Sequence, residues 1–187
     1  MSDIFKDQLS EEELAFLEIY EEDLDAIRPL GAEEREALLK KAVTGDEDSV
    51  GLLIQDFMRT ALDVIHMYAG QGVLLQDLIG EGNLALVGFF KKIPEGITSD
   101  KLDQAVTEEL VKVFDELVKE SADEENEKQK MVKKVEKVAS AAKALSDSLG
   151  RKVTVDELSE NAKISKKQIR DALKNTANKI EGLEEEK

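Results

Sequence analysis

Asp77, Glu81 and Asn83 are polar side chains set into the most apolar part of the chain. They lie within residues 68–92, which read YAGQGVLLQDLIGEGNLALVGFFKK. Because Asp77 and Glu81 are four positions apart, a helix places both carboxylates on one face. Such a pair could serve a metal ion, but a metal site needs further ligands, and no histidine or cysteine accompanies the pair. The spacing therefore indicates a solvated face rather than a metal site.

The rest of the sequence carries no recognisable catalytic motif. It contains no cysteine and lacks a P-loop, a nucleophile elbow and an H-E-x-x-H motif. The single histidine, His66, has no potential ligands at metal-binding spacing, so we interpret it as structural. We therefore predict that the chain is not an enzyme and binds neither a metal nor a cofactor.

Glycines punctuate the apolar stretch and predict where its helices begin and end. Gly70 or Gly72 is expected to end one helix, because glycine accepts the positive φ of a helix C-cap. A second helix is then predicted over residues 75–92. Gly80 and Gly82 inside that helix each cost about 1 kcal/mol relative to alanine. We expect that cost to be offset by close backbone packing or by a partner.

The composition favours an all-α fold. Glu, Lys, Leu and Ala are abundant, and the chain has only two prolines. Helical periodicity and capping patterns predict helices over residues 10–28, 32–44, 47–68, 75–92, 100–122 and 131–149, with two short helices opening at Thr154 and Ser165. No apolar run approaches the roughly 18 residues that a membrane helix needs, and the start of the sequence lacks a signal-peptide pattern. We expect a cytoplasmic protein that makes no membrane contact.

A polar segment and an uneven charge distribution predict two domains. Residues 122–130 read ADEENEKQK, which is typical of a linker or a solvated helix turn. We predict an acidic helical domain over residues 1–122, a linker over 123–130 and a small three-helix domain with an acidic tail over 131–187. Residues 1–127 carry a net charge of −21, whereas residues 128–179 carry +8. A basic domain could attract nucleic acid and an acidic one would repel it. Ordinary solvated helix surfaces would give the same pattern.

The apolar stretch resembles the core-polymerase-binding segment of the bacterial sigma-70 factors. That family shows YAG-x-G, a short apolar link, DLIQEGN and GL, where this chain reads YAGQG, VLLQ, DLIGEGN and LAL. Upstream, Pro29-Leu30, Gly45-Asp46, Leu53-Ile54 and Arg59 also match the family, while Phe57 stands where it usually carries asparagine. The resemblance covers about residues 22–175 and implies a sigma-like all-α N-terminal domain.

By this resemblance, the partner is core RNA polymerase, contacted at the coiled coil of its largest subunit. The polymerase-binding residues that the resemblance implies are Asp77, Glu81, Asn83, Val87 and Phe90. Gly80 replaces a glutamine that contacts the polymerase in the family. An acidic face of this kind suits a basic or mixed-charge partner helix.

The next helix departs from the family at the positions that melt promoter DNA. The family pattern T-W-W-I-R-Q-A-I aligns with residues 107–114, so Glu108 and Glu109 replace the tryptophan pair and Lys112 replaces a glutamine. Aromatic rings stack on bases with about 1–3 kcal/mol per base, whereas carboxylates repel phosphates. We interpret Glu108, Glu109 and Lys112 as degenerate promoter-melting positions.

Residues 149–173 resemble the third domain of the same family and predict a helix-turn-helix-like unit. The family reads LGR-x-P-T-x-x-ELA, a turn and S-x-x-x-VR-x-AL, and here Val153 replaces the proline. The residues that would contact DNA, mostly at phosphates, are Lys166, Lys167, Arg170 and Lys174. Many such units pack only on proteins. No counterpart of the family's fourth domain follows, so we expect no reading of the minus-thirty-five element.

These observations leave two functions open. The first is a sigma-like factor that binds core RNA polymerase in transcription initiation, with weak promoter contact at most. The alternative is a regulator or decoy that keeps the sigma shape but binds a protein partner without promoter DNA. In an autoinhibited form of this protein, the acidic first part would pack against the basic last part and mask it. A diverged remnant in which only the packing survives is a third reading.

Overall fold

The computed structural model describes residues 6–94 and 96–184, and the regular structure in these ranges is helical. The helices are α1 Glu11–Asp25, α2 Ala32–Val43, α3 Glu47–Ile65, α4 Leu75–Lys91, α5 Ser99–Leu149, α6 Val155–Ala162 and α7 Lys166–Asn175. The described ranges contain no strand, and only Val153 and Leu183 form a β-bridge there. The predicted all-α fold is confirmed. None of the described helices is long and apolar enough to cross a membrane.

Side-chain caps begin several helices where the sequence predicted them. Ser10, Thr154 and Ser165 each accept a hydrogen bond from the backbone N–H three residues on, and the Glu or Gln there accepts one in return from the cap N–H. Asp46 caps α3 by accepting from the Ser49 N–H at 3.0 Å. Each cap satisfies N–H groups that the first turn of a helix leaves unpaired.

Helix α5 is longer than the sequence predicted. The helices expected at residues 100–122 and 131–149 are one continuous helix, and the segment expected to be a linker, residues 123–130, is part of it. The polar segment contains no glycine or proline, and its Glu, Lys, Gln and Ala residues are strong helix formers. Gln129 donates to Glu125 and Lys130 donates to Glu127, which are pairs that add to helix stability. Polarity at this point marks a solvated helix rather than a loop.

The chain divides into two units, residues 1–122 and 123–187. The core of the first unit is built from α1 to α4 and the start of α5. Its largest fully buried side chains are Phe57, Phe90, Phe114, Leu17, Leu24, Leu53, Ile65, Leu75, Leu78, Leu86, Leu102 and Leu110. The buried residues of α3 form a wide stripe, and α3 packs on both α2 and α4.

A buried carboxylate and the arginine that pairs with it join three helices of the first unit. Asp56 on α3 accepts from the Leu30 N–H at 2.9 Å and forms an ion pair with Arg35 of α2 at 2.6 Å. The Arg35 guanidinium also lies 4.9 Å from the centre of the Phe57 ring and reaches Asp103 of α5 at 3.1 Å. A buried charge is tolerated when it is paired and hydrogen-bonded in this way. This network was not predicted from the sequence.

The second unit is a small three-helix domain closed by the chain that follows α7. Val138 and Ala142 of α5 are buried, as are side chains of α6 and α7. Residues 180–184, expected to be part of an acidic tail, pack on this core, because Ile180 and Leu183 are buried. The Val153 N–H donates to the Gly182 carbonyl at 2.9 Å. A Cβ at Gly182 would lie only 2.8 Å from a carbonyl oxygen of α5, so only glycine fits.

Candidate functional site

The buried side of α4 determines which of its residues face solvent. Its buried residues recur at spacings of three and four: Leu75, Leu78, Ile79, Gly82, Leu86 and Phe90. Phe90 packs on Phe57 of α3, with ring centroids 5.4 Å apart. A Cβ at Gly82 would lie 3.1 Å from Cζ of Phe114 on α5. The close packing predicted at Gly82 is therefore confirmed.

The segment before α4 is held by hydrogen bonds with α5. Tyr68 donates its hydroxyl hydrogen to Asp115 Oδ1 at 2.8 Å, and Ser121 donates to the Gly72 carbonyl at 2.7 Å. Burial of the Tyr68 hydroxyl and its bond to Asp115 raise the pKa of Tyr68 to about 12. Gly70 and Gly72 have positive φ angles of 73° and 91°. However, α3 ends earlier than predicted, with His66 as its C-cap, so the two glycines shape the turn rather than the helix end.

The first turn of α4 is capped by a residue from another helix. Leu74 precedes the helix and has no side-chain acceptor, and Glu13 Oε1 of α1 accepts from the Leu75 N–H at 3.0 Å. The other oxygen of Glu13 accepts from the Ser10 N–H at 2.9 Å in the capping box of α1. The backbone hydrogen bonds from Leu75 and Ser10 hold the pKa of Glu13 below its usual range. One carboxylate therefore caps two helices.

We call the exposed side of α4 the outer face; it consists of Asp77, Gly80, Glu81, Leu84 and Gly88. Asp77 and Glu81 are exposed and form no ion pair in the described part of the chain. Leu84 is 63% exposed. A Cβ placed at Gly80 or Gly88 would meet no other group within 4 Å. The outer face thus combines two carboxylates, an apolar side chain and a backbone that a partner can approach closely.

The residues predicted to bind a polymerase do not all lie on the outer face. Asp77 and Glu81 do, while Val87 is half-buried beside it. Asn83 is half-buried, and its Oδ1 accepts from the Tyr20 hydroxyl at 3.1 Å. Phe90 was also predicted to bind the polymerase, but it is only 1% exposed. That prediction is wrong, because a ring in the core cannot reach a partner.

Leu84 and Gly88 were missed as candidate residues although the sequence contains a signal for them. Leu84 follows Asp77 by seven residues, and Gly88 follows Leu84 by four, which places all three on one helix face. Neither residue was considered as a contact, because the direction of α4's buried side was not known. Packing on α3 and α5 decides that direction.

Comparison with known proteins gives the relationship of the chain. No family model matches it. It is 24% identical over 156 residues to the RNA polymerase sigma factor SigA of a Bacillus species, and 25% identical over 156 residues to proteins of the same name from Listeria monocytogenes and Listeria innocua. The chain is therefore similar, at low identity, to RNA polymerase sigma factors. Each match covers 83% of this chain and 41% of the curated relative, so the relationship is partial.

Two of the three residues predicted to be degenerate promoter-melting positions face solvent on α5. Leu102, Val106, Leu110 and Phe114 are the buried stripe of this helix. Glu108 and Lys112 are exposed, four positions apart and away from that stripe, while Glu109 is half-buried. Glu108 accepts from the Gln104 side chain at 2.8 Å. The charge of Glu108 is therefore presented to solvent on the helix where the sigma-70 pattern has an aromatic pair.

The basic residues of α7 also face solvent. Ile169, Ala172 and Leu173 are the buried side of this helix. The predicted DNA-contact residues, all exposed, are Lys166, Lys167, Arg170 and Lys174. The spacing of Lys167, Arg170 and Lys174 gives them a common face. Lys166 forms an ion pair with Asp156 of α6 at 2.9 Å.

Proposed function

We propose that the chain acts in transcription as a sigma-like factor that docks on core RNA polymerase through the outer face of α4. The observation that carries the proposal is that the segment most similar to the sigma-70 signature presents Leu84 and two carboxylates to solvent. Neither carboxylate forms an ion pair with another described residue. Within the first unit these groups have no packing role. A basic or mixed-charge helix, such as one helix of a polymerase coiled coil, is complementary to them.

Gly80 and Gly88 support the same proposal. A glycine inside a helix costs about 1 kcal/mol relative to alanine, and at these positions no neighbouring segment explains it. A partner helix packed over the outer face would approach the backbone there more closely than a larger side chain permits. The glutamine that the family carries in place of Gly80 would contact the partner by its side chain, so this chain would use backbone proximity instead.

The test is equilibrium binding of the full chain to purified core RNA polymerase. The double substitution Asp77→Lys plus Glu81→Lys should weaken binding at least about tenfold, which corresponds to roughly 1.4 kcal/mol. The matched control is Glu116→Lys plus Glu120→Lys, an exposed pair on α5 with the same spacing and the same charge change. The control should bind like the unmodified chain. Absence of binding by the unmodified chain, or equal weakening in both variants, would contradict the proposal.

A second candidate function is a regulator that occupies a protein partner without opening promoter DNA. The exposed carboxylate of Glu108 favours it, because a charge on this face repels phosphate and cannot stack on a base. In vitro transcription from a promoter distinguishes the two functions. The transcript is measured with this chain added to the polymerase alone and to the polymerase with a complete sigma factor. A regulator reduces the transcript when this chain is added, whereas an initiating factor makes transcript with the polymerase alone.

A further inference from the structure

Helix α1 is joined to α4 by two side-chain hydrogen bonds. Glu13 accepts from the Leu75 N–H at 3.0 Å, and the Tyr20 hydroxyl donates to Asn83 Oδ1 at 3.1 Å. Residue numbers rise together along the two helices, so α1 and α4 run side by side in the same direction. Leu17, between Glu13 and Tyr20, is fully buried. On α1, the two bonds therefore lie on either side of a buried leucine.

The two bonds fix different properties of α4. The bond at Leu75 satisfies an N–H that Leu74 cannot cap, so it determines where the helix starts. The bond at Asn83 lies about two turns later, at the edge of the outer face, and it restrains rotation of α4 about its own axis. Together they set the position of Asp77 and Glu81 along the helix axis and the direction in which their carboxylates face.

We propose that Glu13 and Tyr20 are positioning residues for docking through the outer face. This inference rests on the proposed function. It also gives Asn83 a positioning role: its side-chain oxygen accepts from the Tyr20 hydroxyl, so Asn83 holds α4 in place. Neither Glu13 nor Tyr20 belongs to the sigma-like signature from which the docking residues were predicted.

Glu13→Ala and Ser10→Ala form a matched pair of variants for the first bond. Both break the capping box of α1, but only Glu13→Ala removes the cap on Leu75. Amide hydrogen exchange at Leu75 should become faster in Glu13→Ala and remain unchanged in Ser10→Ala. Binding to core RNA polymerase should fall about threefold to tenfold in Glu13→Ala relative to Ser10→Ala. If Glu13 only stabilises the fold, the loss of affinity in each variant should be proportional to its loss of melting temperature, and that result would contradict the positioning role.

The second bond is tested with Tyr20→Phe, which keeps the ring and removes only the hydroxyl, and with Asn83→Ala. If Asn83 acts through Tyr20, each single variant weakens binding, and the double variant weakens it no further than the stronger single one. Weaker binding in Asn83→Ala with full binding in Tyr20→Phe would overturn the role of Tyr20, because Asn83 would then contact the partner directly.

The charge-reversal variants separate failure of this inference from failure of the proposed function. If Asp77→Lys plus Glu81→Lys weakens binding while Glu13→Ala binds like Ser10→Ala and Tyr20→Phe like the unmodified chain, docking stands and positioning is overturned. If the charge reversal leaves binding unchanged, the outer face is not the docking surface and both are overturned. In that case, faster amide exchange at Leu75 in Glu13→Ala but not in Ser10→Ala would show only that Glu13 caps α4, and the cap would have no link to docking.

Discussion

Gly80 and Gly82 are two residues apart in α4, and glycine is present at each for a different physical reason. At Gly82 the ring of Phe114 is so close that a Cβ would lie 3.1 Å from it. At Gly80 a Cβ would meet no other group within 4 Å. Gly82 is thus explained by packing within the first unit, whereas Gly80 has no explanation inside the described structure.

Alanine substitutions at these two positions should change stability in opposite directions. Gly80→Ala should raise the free energy of unfolding by about 0.5–1 kcal/mol. It lowers the backbone entropy of the unfolded chain, and the added methyl group clashes with no neighbour. Gly82→Ala should lower it, since overpacking a core costs about 1–3 kcal/mol and exceeds the gain in helix propensity. Urea denaturation measures both. A stabilising Gly82→Ala would mean that the buried Phe114 ring shifts without cost.

Glu157 organises the start of α6. Its carboxylate accepts from the Thr154 N–H at 2.9 Å and pairs with Arg151 at 2.5 Å. The hydrogen bond from Arg151 and that from the Thr154 backbone lower the pKa of Glu157 to about 2. Because this pKa lies below the ordinary value of 4.5, the ionised form stabilises the folded second unit at neutral pH.

The stability that Glu157 provides should therefore disappear in acid. It is fully present above the ordinary pKa near 4.5 and declines as the pH falls toward 2. At pH 7, Glu157→Gln should melt at a lower temperature than the unmodified chain, and the difference should shrink between about pH 5 and pH 2. Thermal melts at a series of pH values measure it, and Glu160→Gln, an exposed carboxylate on the same helix, is the control. A difference independent of pH would contradict the assignment.

At the scale of the whole molecule, charge is separated along the chain. Residues 1–127 carry a net charge of −21, and residues 128–179 carry +8. Negative charge repels nucleic acid, and the attraction of a basic surface depends strongly on salt. Any DNA contact by this chain should therefore come from the second unit, at phosphates rather than bases.

DNA binding by the full chain should accordingly be weak, independent of sequence and sensitive to salt. Replacing Lys167, Arg170 and Lys174 with alanine should reduce the slope of log affinity against log salt by roughly 0.9 for each phosphate that is no longer neutralised. The control replaces three exposed lysines of α5, Lys133, Lys134 and Lys137, with alanine and should keep the slope. Titrations with duplex and single-stranded DNA measure it. Tight binding to one promoter sequence would instead show that the helix carrying Glu108 still reads DNA.

Local patterns in the sequence were sufficient for the helical fold and for most helix starts. The capping boxes at Ser10, Thr154 and Ser165 form as predicted, because each involves residues only three apart. The sigma-like segment was also recognised from its residues. Residues 123–130, expected to be a linker or a solvated helix turn, are part of α5, since Glu and Lys have high helix propensity.

The sequence by itself determined where helices form, how their charge is distributed and which family the segment around α4 resembles. Tertiary structure alone decided which side of α4 faces solvent, and with it the burial of Phe90 and the exposure of Leu84. It also decided that Glu13 caps α4, across a separation of 62 residues. The physical reason is range: propensities and caps act over three or four residues, whereas burial depends on which distant helices pack together.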